Sequence, residues 1–139
     1  MILRLTKEFY FQMAHALSDY DGKCRNLHGH NYKLLVTIEG QPSEKDHDAK
    51  KGMVIDFGDI KKIVNEQVIN LLDHTLMLPQ NSPFTNIEGT KKLIVPFQPT
   101  CENILVYIAE RLHGAFPQGV RLHALRLYET ATSYAELAL

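Results

Sequence analysis

An α+β fold, an antiparallel sheet with two helices packed on one of its faces, is what this sequence predicts. Three observations lead there. Runs of alternating apolar and polar residues stand at both ends of the chain, two at each end. Between them lie two stretches whose apolar residues recur at the i, i+3, i+4 spacing of amphipathic helices. Polar loops, and no repeat or linker, separate these runs. The order strand, strand, helix, helix, strand, strand then gives a four-stranded antiparallel sheet built from a hairpin-like pair at each end. A length of 139 residues suits one domain, 1–139, with a core of its own.

The first strand is read from Leu3 to His15. Leu3, Leu5, Phe9, Phe11 and Met13 alternate with Arg4, Thr6, Glu8, Tyr10 and Gln12, and His15 falls in phase with the apolar set. The second starts at His28, where His28, His30, Tyr32, Leu34, Val36 and Ile38 share one face against Asn31, Lys33 and Thr37. After the polar loop 43–51, Asp56 is placed to cap a helix marked by Ile60, Ile63, Val64, Val68, Leu71 and Leu72. A second polar loop, 81–92, precedes Pro99-Thr100, where Thr100 caps a helix striped by Cys101, Ile104, Leu105, Ile108, Ala109 and Leu112. Glu102 sits at its positive end, and Gly114 and Pro117 close it. Two strand-like runs, Val120 to Tyr128 and Ser133 to Leu139, end the chain.

Composition narrows the function. A formal net charge of -1 offers no basic field for nucleic acid, and no apolar run approaches a membrane span. The N-terminus lacks the charged-then-apolar pattern of a secretion signal. The only cysteines, Cys24 and Cys101, stand in contexts too different to suggest a disulfide, so the expected compartment is the reducing cytoplasm.

The chemistry concentrates in Cys24-Arg25-Asn26-Leu27-His28-Gly29-His30, read with His15. His28 and His30 point to one side of a strand, where unpartnered imidazoles would be costly. Three imidazoles with no fourth protein ligand make the pattern of a catalytic zinc site with an open position. Cys24, between Lys23 and Arg25, is either a fourth ligand that closes a structural site or a reactive thiol beside the metal. Asp73-His74 is either an acid/base pair or a helix-end dipeptide facing solvent. Glu129, in phase with Leu125 and Leu127, is a carboxylate that needs a protein cation or a ligand's N–H groups. Cys101, on an apolar stripe, reads as a core thiol, while His47, His113 and His123 carry no assigned role.

In combination these pieces resemble one family. Cys24-x-x-x-His28-Gly29-His30, the upstream His15, Val54-Ile55-Asp56-Phe57, Asp73-His74, Pro99-Thr100-x-Glu102-Asn103 and Tyr128-Glu129-Thr130 recur in this order in the 6-pyruvoyl-tetrahydropterin synthase / 6-carboxy-tetrahydropterin synthase family. The resemblance covers nearly the whole chain. It implies a tunnelling (T-) fold whose subunits join sheets into a barrel, usually a homo-hexamer. It also implies Zn2+ on His15, His28 and His30, acid/base roles for Cys24, Asp73 and His74, and a pterin anchor in Glu129, with Thr100 and Glu102 lining the pocket. Three residues between the cysteine and the HGH element are typical of the bacterial 6-carboxy enzymes of queuosine biosynthesis, whereas the animal 6-pyruvoyl enzymes usually have a longer segment.

The implied activity converts 7,8-dihydroneopterin triphosphate to 6-carboxy-5,6,7,8-tetrahydropterin, acetaldehyde and triphosphate. Elimination without carbon–carbon cleavage, the 6-pyruvoyl synthase reaction, is the alternative within the family. A non-catalytic, zinc-stabilised binding protein with Cys24 as fourth ligand is the alternative outside it. Lys23 and Arg25 are the local candidates for the triphosphate.

Overall fold

The computed structural model describes all 139 residues. β1 (Leu3–His15) and β2 (His28–Gly40) are thirteen residues each and pair antiparallel throughout, from Leu3↔Gly40 to His15↔His28. The alternating pattern sets that register. Phe9, Phe11 and Met13 of β1 and Tyr32, Leu34, Val36 and Ile38 of β2 are buried on one face, and a slip by one residue would turn either set to water. The other face carries Thr6, Glu8, Tyr10 and Gln12, open to solvent.

After an irregular stretch, the Asp56 carboxylate accepts the Gly58 N–H at 2.7 Å and starts α1 (Phe57–Val64). The helix runs on through a π-helical stretch, Asn65–Ile69, into α2 (Asn70–Leu72). Ile60, Val64, Val68 and Leu72 are all buried on this rod, a strict four-residue repeat. Such a repeat drifts around a 3.6-residue helix, and the wider π turn takes up the drift so that the stripe stays on the sheet.

Two residues later comes β3 (Thr75–Pro79), followed by β4 (Lys92–Val95), α3 (Cys101–Leu112), β5 (Val120–Thr130) and β6 (Ser133–Ala138). The Thr100 hydroxyl accepts the Asn103 N–H at 3.1 Å and caps α3, as its position in the sequence suggests. Ile104, Leu105, Ile108 and Leu112 of α3 and the stripe of the α1–α2 rod meet the apolar face of β1, β2 and β5 in one core. Each fully buried Leu or Ile there contributes roughly 1.5–3 kcal/mol.

The α+β class with helices on one face stands, but the four-stranded antiparallel sheet is corrected. The sheet has six strands in the order β4-β3-β1-β2-β5-β6, with β3 parallel to β1 and β4 parallel to β3. The two added strands lie around the loop read at 81–92. β3 is an uninterrupted buried run and β4 only four residues, so neither shows an alternation that reads as a strand. No helix is long and apolar enough to cross a membrane.

Candidate functional site

The β1–β2 register builds the centre of the site. His15 lies directly opposite His28, and His30, opposite Met13, is the diagonal neighbour on the same face. The three rings pack edge to face, with centroids 4.5–5.1 Å apart. One nitrogen from each lies within 4.8 Å of the others. His15 is buried, and burial lowers its pKa to about 4, so the imidazole is neutral in the fold.

Backbone carbonyls set the tautomers. His15 Nδ1 lies 2.7 Å from the Pro99 carbonyl, and His28 Nδ1 lies 2.6 Å from the Asn26 carbonyl. A carbonyl only accepts, so each Nδ1 carries the proton. The two Nε2 atoms, which such a tautomer leaves as bare lone pairs, face each other 3.0 Å apart. Two lone pairs at that distance repel unless a cation lies between them. His30 Nε2 is likewise buried without a hydrogen-bond partner. Zn–N bonds of about 2.0–2.1 Å place tetrahedral donors about 3.3 Å apart, close to the 3.0 Å between the His15 and His28 Nε2 atoms. The donor set, its tautomers and its orphaned nitrogen therefore fit a divalent metal such as zinc, and the carbonyls are the outer contacts such ligands need.

Cys24 stands in the 3-10 turn Lys23–Arg25 of the β1–β2 connection, half-buried, its carbonyl accepting the Leu17 N–H at 2.8 Å. Its thiol is outside the three-histidine cluster. Lys23 and Arg25 are exposed on either side.

Asp73-His74 joins α2 to β3 and is bolted to β1. Asp73 Oδ1 accepts the Gln12 N–H at 2.9 Å, and the His74 N–H donates to the Gln12 carbonyl at 2.6 Å. His74 takes the left-handed conformation, φ 58°, which turns the chain from helix to strand. Its Nδ1 lies 3.0 Å from Asp73 Oδ1, so the two side chains do form a hydrogen-bonded pair, at an exposed position. Burial raises the Asp73 pKa, but the Gln12 N–H and His74 together outweigh it and hold the carboxyl below its ordinary value.

Glu129 occupies a β-bulge. The β5–β6 register shifts between Tyr128 and Thr130, which leaves Glu129 as the extra residue, a device that re-aims a side chain. Its carboxylate is only one-quarter exposed, and the basic group nearest to it is the His30 imidazole, Nε2 at 3.8 Å. Behind it, Cys101 Sγ–H donates to the Leu127 carbonyl at 3.4 Å, and burial pushes that thiol up to about 11. Cys101 is thus a half-buried thiol tied to β5, next to the bulge.

Two surface hollows flank the first residues of β2 and share Gly29, His30 and Asn31. One, of about 430 Å³, is lined by Gln12, Asn31, His74, Thr75 and Thr90. The other, of about 560 Å³, is lined by Tyr10, Lys33, Tyr128, Glu129 and Thr130. His30 touches both, but within one chain His74 and Glu129 lie in different hollows. Thr100 and Glu102 line neither: the Thr100 hydroxyl is engaged as the α3 cap and Glu102 is exposed in its first turn.

Sequence reasoning missed the Pro99 and Asn26 carbonyls, which no residue pattern advertises. It also passed over Tyr32, read only as part of an apolar face. Tyr32 is fully buried, its ring stacked on Phe11 at 5.0 Å and set edge-on to His30, and its hydroxyl has no partner. Burial, and secondly the nearby Glu129 carboxylate, hold the phenol protonated.

Comparison with known proteins bears on this arrangement. A family model described as 6-pyruvoyl tetrahydropterin synthase matches residues 4–138. The 6-carboxy-5,6,7,8-tetrahydropterin synthase of Haemophilus influenzae is 39% identical, over 97% of this chain and 98% of its own. The 6-pyruvoyl tetrahydrobiopterin synthase of Homo sapiens is 35% identical, over 78% of this chain and 66% of its own. The crystal structure of the Plasmodium vivax 6-pyruvoyl tetrahydropterin synthase matches with a TM-score of 0.75 at 23% identity, over 99% of this chain and 97% of that one. The last likeness concerns the fold, and it is the T-fold that the curled mixed sheet with its helices on one face displays.

Proposed function

The chain belongs to the 6-pyruvoyl tetrahydropterin synthase family, and on that premise we propose that it converts 7,8-dihydroneopterin triphosphate and one water to 6-carboxy-5,6,7,8-tetrahydropterin, acetaldehyde and triphosphate. The observation that carries the proposal is the three-imidazole cluster with its Nδ1 atoms turned to carbonyls and its Nε2 atoms facing one another. The full-length similarity to the Haemophilus influenzae protein, and the three residues between Cys24 and His28, support the 6-carboxy outcome. Zinc on His15, His28 and His30 would supply Lewis acidity toward the oxygens of the substrate side chain.

The remaining chemistry falls to the chain's own groups. Cys24, close to the cluster in sequence but outside it in space, would take a proton from the substrate side chain. Asp73 fixes the His74 tautomer with the proton on Nδ1, which leaves Nε2 to exchange protons during the internal redox shift. Glu129 would accept hydrogen bonds from the exocyclic amino and ring N–H groups of the pterin, a charge-assisted pair of contacts. Thr100 and Glu102 would bear on the site through their place beside Pro99, whose carbonyl holds His15. His74 and Glu129 lie in separate hollows of one chain, and a homo-oligomer, the hexamer of the family resemblance, would unite them across subunits. Partners other than the small-molecule substrate and further copies of the chain are not part of this reading. The site of action is the cytoplasm, and the product feeds queuosine biosynthesis.

The similarity to the human enzyme favours a second reading, the 6-pyruvoyl product without carbon–carbon cleavage. Mass spectrometry of the products from zinc-loaded protein and 7,8-dihydroneopterin triphosphate separates the two. A 6-carboxypterin with acetaldehyde supports the first reading and a 6-pyruvoyl product the second. Unchanged substrate refutes both.

A further inference from the structure

The most buried polar group that this mechanism leaves unused is the Tyr32 hydroxyl. Three buried side-chain polar atoms in the chain lack a hydrogen-bond partner, and two of them, His30 Nε2 and Tyr32 Oη, belong to the same strand face, two residues apart. The metal accounts for the first. Nothing yet accounts for the second, and an unsatisfied buried hydroxyl is a standing cost to the fold.

Its surroundings name a partner. β2 and β5 pair antiparallel with Leu34↔Leu127 and Lys33↔Tyr128, and continuing that register by one residue sets Tyr32 beside Glu129 on the inner face. Glu129 is itself short of partners. The one basic group near it is His30 Nε2 at 3.8 Å, longer than a hydrogen bond, and metal binding by that nitrogen would end the contact. The bulge at Glu129 leaves its backbone unpaired with β6, so the strand ladder does not hold the side chain in one orientation. A donor with no acceptor and a carboxylate with no donor therefore sit side by side beneath the histidines.

We propose that Tyr32 is a positioning residue for Glu129: in the ligand-bound site its hydroxyl donates a hydrogen bond to the carboxylate and so fixes it for the pterin ring. The inference rests on the assignment of Glu129 as the pterin anchor. A carboxylate has about four lone-pair sites, and two contacts to the pterin leave room for the phenol. The cost of the unpaired hydroxyl is recovered when ligand brings the two together.

Tyr32→Phe is the test, because it removes one oxygen and keeps the ring stacked on Phe11. The zinc-loaded full chain is titrated with neopterin, followed by its fluorescence, and assayed for turnover, alone and in a Glu129→Gln background. The expected single variant binds neopterin roughly tenfold more weakly, the scale of a hydrogen bond to a charged group. Its KM should rise with kcat little changed, while its zinc content is unchanged and its unfolding midpoint is equal to wild type or higher. In the Glu129→Gln background the same change should add almost nothing. Wild-type affinity in Tyr32→Phe, an effect that simply adds to that of Glu129→Gln, or a lowered midpoint with affinity intact would each overturn the inference. A wild-type protein that binds no neopterin and turns over no substrate would refute the pterin reading itself, and this inference with it.

Discussion

Acidifying the metal-free protein from about pH 7.5 to about pH 4.5 should cost it about 2.5 kcal/mol of stability through His15 alone. The magnitude follows from burial. In the folded chain the His15 pKa is lowered from 6.5 to about 4, chiefly because the ring is removed from water. Below pH 6.5 the unfolded chain takes up a proton at this position that the folded chain does not. Stability therefore rises with pH across the window from about 4 to 6.5, is fully present above it, and is lost as the pH falls through it. The comparison is with His15→Asn, whose side-chain amide can still donate to the Pro99 carbonyl but does not titrate. Urea unfolding of both proteins in the presence of a chelator, at several pH values across that window, measures the difference. The wild type should lose about 2.5 kcal/mol more than the variant. Equal pH slopes would refute the claim that His15 is held neutral by the fold.

Other outcomes follow from the same geometry. Cys24→Ala should keep its zinc and its folding stability while losing turnover; loss of zinc together with stability would indicate a closed structural site instead. Glu129→Gln should weaken neopterin binding by at least tenfold, with zinc content unchanged, in a fluorescence titration. Thr100→Ala should lower stability by about 1 kcal/mol in a denaturant titration, because its hydroxyl caps α3. Zinc added to apo protein at about a hundredfold over its Kd should stabilise the fold by about 2.7 kcal/mol, an effect that His28→Ala abolishes in a thermal melt.

Much of this molecule is legible in its residues because the informative parts are long and regular. Long alternation in the thirteen residues of β1, broken at Lys7, and again in those of β2, broken at Leu35, fixes two strands, their buried faces and the positions of His15, His28 and His30 on them. Asp56 and Thr100 announce two helix starts through their own capping chemistry. β3 and β4 are illegible for the opposite reason. Five buried residues and four of mixed burial carry no period, and β3 pairs parallel with β1 and β4 with β3, partners that local pattern does not specify. The π-helical stretch leaves a trace, the four-residue repeat Ile60, Val64, Val68, Leu72, that ordinary helical reading absorbs without remark. Within the site the side-chain ligands are visible in sequence and their supports are not. The Pro99 and Asn26 carbonyls come from backbone, and the bulge at Glu129 exists only as a mismatch between two strands. Tyr32 was hidden by its alternation, since a tyrosine in phase with Leu34 and Val36 looks like core until its hydroxyl is found without a partner.

The central claim is that three imidazoles, and no thiolate, hold a metal whose remaining position faces substrate. X-ray absorption at the zinc edge of the purified, zinc-loaded protein tests it most directly. The account predicts one zinc per chain with a shell of nitrogen and oxygen neighbours at about 2.0–2.1 Å, carrying the scattering signature of imidazole rings. A sulfur neighbour at about 2.3 Å would make Cys24 a ligand, close the site and contradict the claim.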